Sequence, residues 1–133
     1  QVYYLCSCAH KYMGASMRDL LKIFKAMADE TRLRIMFLLM EREACVLEIK
    51  QAMRISQTRA SRNLGILHDA GLLKARREGP LVFYSLDTRQ IKKSCNGLDA
   101  MVKQAFEMDE TSLKHRERLK RPIPRGIDKE PGS

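Results

Sequence analysis

Between Val46 and Gly71 the chain reads VLEIKQAMRISQTRASRNLGILHDAG, two helix-prone runs joined by a few residues around Arg54–Ile55–Ser56. No other feature restricts the fold as much. A short helix, a tight turn and a second, serine-capped helix have the spacing of a helix-turn-helix, whose second helix enters a DNA major groove by its N-terminal residues. Ser56 is the expected N-cap of that second helix, and Gly71 follows its end, where a left-handed residue closes a helix at little cost.

The apolar period predicts the remaining elements. Leu20, Leu21, Phe24 and Met27 mark a helical stripe from Met17 to Ala28, and Asp29 is the expected N-cap of a further helix, ETRLRIMFLLM. Past Gly71, the β-prone runs LLKARR and LVFYSL, separated by Glu78, Gly79 and Pro80, predict a hairpin. One long helix is expected after Asp87, its apolar seam running Ile91, Cys95, Leu98, Val102 and Ala105. A stripe of that length in a small chain calls for a partner surface. The expected class is therefore mostly α with a small β-hairpin wing: a winged helix-turn-helix, homodimeric. Residues 1–16 lack a period and are read as an N-terminal arm, 17–114 as the DNA-binding and dimerisation domain, and 115–133 as a basic, disordered tail.

The 133 residues suffice for one core, and the formal net charge of +9 points to a polyanionic partner. From Lys50 to Leu81 there are seven Lys or Arg residues against two acids, so the basic charge gathers on the predicted reading unit. Gln57, Thr58, Arg59, Ser61 and Arg62 at the start of its second helix can hydrogen-bond base edges or phosphates, while Ala60, Leu64 and Leu67 face inward. Lys74, Arg76 and Arg77 on the hairpin suit flanking phosphates. A twofold dimer would place two such helices in successive major grooves of double-stranded operator DNA with inverted-repeat half-sites. No segment reads as a membrane span or a signal peptide, so the cytoplasm is the expected compartment, without a membrane partner. No Gly-rich phosphate loop or nucleophile–base order supports an enzyme.

The strings ADETRLRI, SQTRASRNL, DAGLL and RREG…FYSL, in this order, resemble the ArsR/SmtB family of small winged-helix repressors. The resemblance runs from about Met17 to the end of the last predicted helix. It implies a homodimer, built from the first and last helices, that represses an operon until an inducer releases it from DNA. The family's zinc site on the last helix is absent, since no histidine lies between Arg89 and Lys114.

Cys45 sits where the first helix of the reading unit begins, with Glu48 at the third position after it, in the pattern of a capping box. A thiol there is expected to have a lowered pKa from the helix dipole and exposed N–H groups. The family commonly carries Cys-Val-Cys at this place; here it is Cys45-Val46-Leu47, one ligand short. The resemblance therefore turns attention to Cys6 and Cys8 in CSCAH, with His10 as an additional donor. Residues 9–16 span at most roughly 25–30 Å when extended, enough to bring the arm to Cys45 within a dimer. Three sulfurs (Cys6, Cys8 and Cys45) suit arsenite or antimonite as inducer; a fourth, nitrogen ligand would suit zinc or cadmium.

Other readings of the same residues remain. Cys45 can be a small apolar filler, and Cys95, on the apolar seam, is expected to pack. The thiols can serve a redox or sulfide switch, the chain can sense no metal at all, or it can be a chromatin-like basic protein with weak site preference. His68 is expected to be structural and His115 solvated.

Overall fold

Helix α1 (Met17–Met27) starts at Ser16, where a reciprocal cap forms: the Asp19 N–H donates to Ser16 Oγ at 3.2 Å and the Ser16 N–H donates to Asp19 Oδ2 at 3.0 Å. Its inward face is Ile23, Ala26 and Met27, whereas Met17, Leu21 and Phe24 are exposed. Asp29 caps α2 (Glu30–Leu39), accepting from the Arg32 N–H at 3.0 Å, as its sequence position predicts. From Ile35 to Leu39 every side chain of α2 is buried, which makes it the central helix. The computed structural model describes residues 16–121.

The reading unit follows. Helix α3 (Val46–Met53) ends at Arg54, which takes a left-handed conformation (φ 57°) and turns the chain into α4 (Gln57–Asp69). Ser56 caps α4 through the Arg59 N–H at 3.1 Å. After Gly71 (φ 82°) come β2 (Leu73–Glu78) and β3 (Leu81–Leu86), antiparallel with Leu73 opposite Leu86 and Glu78 opposite Leu81. A two-residue strand, β1 (Ala44–Cys45), adds to the far side of β3, with Cys45 opposite Phe83. Its pairing was not expected, because two residues carry no readable alternation.

The single long helix expected after Asp87 is three: α5 (Thr88–Ser94), α6 (Leu98–Phe106) and α7 (Glu110–Lys120). Gly97, at φ 89°, breaks the first junction, and Asp109 caps α7 by accepting from the Ser112 N–H at 2.8 Å. The apolar spacing survives the break because each piece keeps its own inward residues. Ile91, Leu98 and Val102 lie in the chain's own core, Cys95 is half-buried and Ala105 is exposed, so this seam demands no second chain.

Residues 115–120, expected in the disordered tail, continue α7, and Leu119 is buried among the core residues. This stretch is charged yet folded, because its backbone and one of its arginines bond to the rest of the chain. Arg118 donates to the Ala52 carbonyl at 3.0 Å, and Arg42 donates to the Leu119 carbonyl at 2.6 Å. These two bonds help seat α7 against α3 and the segment before it. His115, expected in solvent, is 8% exposed, and its Nδ1 has no hydrogen-bond partner among the described residues. Burial, then the charges of Arg118 and Arg34, hold its pKa below the ordinary histidine value. Among the described residues no helix is long and apolar enough to cross a membrane.

Candidate nucleic-acid interface and thiol site

Helix α4 divides cleanly by face. Ala60, Leu64 and Leu67 are fully buried, while Gln57, Thr58, Arg59, Ser61 and Arg62 are exposed at its N-terminal end. The polar set named from sequence therefore shares one open surface. Side chains from α2 hold it in place. Arg59 donates to Thr31 Oγ1 at 2.8 Å, and Arg32 donates to Asn63 Oδ1 at 3.2 Å and to the Ala26 carbonyl at 2.5 Å. Arg32, Arg59 and Arg62 line a cleft of about 390 Å³ beside the α4 N-terminus, a concentration of positive charge suited to a phosphate backbone. Arg32 was not singled out from sequence, where it reads as one more helix-surface cation; only folding brings it beside α4.

The wing arginines are not equivalent. Successive residues of a strand point to opposite faces. Arg76 lies over the Phe83 ring (5.0 Å to its centre) and pairs with Glu43 at 2.5 Å and Glu78 at 3.0 Å. Those two carboxylates raise its pKa further above the ordinary arginine value, and Arg76 in turn lowers that of Glu43. Arg76 thus braces the wing against the β1 edge. Arg77 is exposed and makes no ion pair among the described residues, and Lys74 is exposed as well.

Cys45 is the N-cap of α3, as the sequence pattern suggests. Glu48 Oε2 accepts from the Cys45 backbone N–H at 3.0 Å, and Arg42 holds the same carboxylate at 3.1 Å. The expected lowering of the thiol pKa does not occur. Cys45 is only 6% exposed, and burial pushes the thiol up; the Glu48 and Leu47 N–H groups oppose this, while the Glu48 charge adds to it. The helix start is present, yet desolvation outweighs it.

Cys6, Cys8 and His10 lie outside the described residues, so their approach to Cys45 stays an expectation. Among the described residues no group of three or more His, Cys, Asp or Glu is arranged to hold a metal ion. Cys95 caps α5 at its C-terminus, away from any such group. His68 is exposed at the end of α4, its ring edge-on to Tyr84 with centres 6.2 Å apart.

Residues 29–75, from the α2 cap through the start of the wing, match the family described as bacterial regulatory protein, arsR family. The homodimeric winged helix-turn-helix DNA-binding domain from Mycobacterium bovis superimposes with a TM-score of 0.57 at 33% identity, over 69% of this chain and 87% of that one. The chain belongs to the ArsR family. Its members are DNA-binding regulators rather than enzymes. The cadmium resistance regulatory protein CadC homolog of Staphylococcus aureus is 41% identical over 76 residues, 56% of this chain and 63% of the relative. The arsenic resistance regulator ArsR1 of Pseudomonas putida is 42% identical over 79 residues, 56% of this chain and 62% of the relative. The chain thus spans under two thirds of the length of these two relatives.

Proposed function

We propose that this ArsR-family chain is a transcriptional repressor that binds an inverted-repeat operator as a homodimer and is released by a soft metal(loid), arsenite foremost. One observation carries the reading: Cys45 is the N-cap of the first helix of the helix-turn-helix. A ligand that draws on its sulfur acts on α3, and through Arg54–Ser56 on the orientation of α4. The exposed Met17, Leu21 and Phe24 on α1, together with Met101 and Met108 around α6, supply apolar area for a second copy. Gln57, Thr58, Ser61 and Arg62 read bases or phosphates, with Arg59 and Arg77 on the backbone.

Cys6 and Cys8 complete the inducer site in this proposal, giving three sulfurs for arsenite or antimonite; His10 as a fourth donor would fit zinc or cadmium. The cadmium and arsenic resistance named in the two relatives supports this choice of ligand class. A raised thiol pKa does not oppose it. As(OH)₃ takes up three thiols with loss of three waters, each thiol proton leaving with a hydroxyl of arsenic, so no preformed thiolate is required. By linkage, DNA weakens arsenite binding by the factor with which arsenite weakens DNA binding.

The test is operator binding by the fully reduced protein under an arsenite titration, alongside Cys45→Ser. Release of the wild type but not of the variant is expected. Release of both would remove Cys45 from the inducer site. Release of neither would end the arsenite reading and move the search to oxidants, sulfide and divalent ions.

A further inference from the structure

A second cleft, about 660 Å³, opens between the C-terminal end of α2, the end of β3, α6 and α7, in the size range of small-molecule sites. Phe37 and Leu86 give it an apolar floor. Arg116 reaches in from α7 and stacks on Phe37, its guanidinium carbon 5.3 Å from the ring centre. The Arg116 Nε is buried without a hydrogen-bond acceptor among the described residues, and the guanidinium makes no ion pair there. This is unusual, because Glu41, Asp99 and Glu107 line the same cleft. Glu107 is occupied with Lys103 at 3.8 Å, whereas Glu41 and Asp99 have no cationic partner among the described residues. A half-buried cation and two carboxylates thus face one space without neutralising each other. The buried Arg116 Nε is costly to leave unmatched, since such groups are normally satisfied by hydrogen bonds or charge; Asp99 is half-buried and Glu41 exposed at the rim.

We propose that this cleft is an effector site for a small zwitterion with an apolar body, of the amino-acid class. Its carboxylate would take the Arg116 guanidinium, its ammonium the Glu41 and Asp99 side, and its apolar body the Phe37–Leu86 floor. A dianion would meet the acids, and a purely apolar ligand would leave all three charges unmatched. The site also has a route to the reading unit. The helix that carries Arg116 donates from Arg118 to the Ala52 carbonyl of α3 and accepts at the Leu119 carbonyl from Arg42, which holds Glu48. An occupant gripping Arg116 would therefore bear on the seat of α7 against α3, independently of Cys45.

Backbone-amide NMR of the full chain, titrated with L-phenylalanine, 3-phenylpropanoate and 2-phenylethylamine, tests this; the last two lack the amine and the carboxylate respectively. Phenylalanine is expected to shift the amides around 37–41, 85–88 and 98–107, and each truncated probe to bind about tenfold more weakly. Arg116→Gln should cost about tenfold in phenylalanine affinity, and Asp99→Asn a smaller factor in the same direction. Should Arg116→Gln not fold, Asp99→Asn, a near-isosteric change at a half-buried position in the first turn of α6, decides alone. Shifts elsewhere, equal binding of the three probes, no shift up to roughly 10 mM, or variants that bind like the wild type would each overturn the proposal.

Discussion

The two ends of α3 are held in opposite ways. At its N-terminus, Cys45 is buried, and its backbone is fastened through Glu48 and Arg42 to the last turn of α7. At its C-terminus, Arg54 is exposed in a left-handed turn and hands the chain to the open polar start of α4. Eight residues, about 12 Å of helix, separate the locked end from the reading end. So short a helix moves as a unit. On the function proposed above, a disturbance at the thiol would reach the start of α4 only if the fastening at the N-terminus gave way, which puts the Glu48–Arg42–Leu119 connection on the same path as the cysteine.

The middle of α3 offers the sharpest way to break this picture. Ile49 is fully buried between the two ends, and Ile49→Ala should cost about 2–5 kcal/mol of stability, read from urea denaturation. A loss well below that range would mean α3 is loosely seated and no lever.

Next comes the fastening itself. Glu48→Ala leaves the Cys45 N–H and the Arg42 guanidinium without their shared acceptor, at an expected cost of about 1–3 kcal/mol. Native-state alkylation of Cys45, with Cys6, Cys8 and Cys95 changed to serine, should speed up in the same variant. An unchanged rate would show that the fastening does not guard the thiol.

The thiol also gives a pH signature. Its folded pKa lies above the ordinary 9.0, so the folded chain keeps the proton longer than the unfolded chain. The associated stability is present in full below the unfolded pKa and is lost as pH rises through the folded value. Iodoacetamide rates against pH should therefore have their midpoint above 9.0. A midpoint below it would restore a thiolate poised at the helix start.

The smallest effect belongs to the open end. Arg54→Gly relieves a left-handed conformation at φ 57° but adds freedom to the unfolded chain, so a gain of at most about 1 kcal/mol is expected in thermal unfolding. A loss would assign the Arg54 side chain a contact that holds the turn.

What the sequence settled by itself is local. Asp29 and Ser56 cap the helices they were expected to cap, Val46–Met53 and the Gly79–Pro80 hairpin fall where the pattern puts them, and the inward face of α4 is Ala60, Leu64 and Leu67. Caps, turns and amphipathic faces act between residues three or four apart, so neighbouring letters suffice. The rest needed the folded chain. Period alone could not show that Gly97 divides the last helix, because the seam from Ile91 to Ala105 runs across it, and Asp109 lies past that seam's end. Charge alone could not show that Arg118 and Arg42 anchor α7, or that Arg76 is paired while Arg77 is open, since each partner lies far away in sequence. The Cys45 thiol is the clearest case. Its position at a helix start is written in the sequence and favours the thiolate, but its burial beside β3 is a tertiary fact, and desolvation prevails over the helix end.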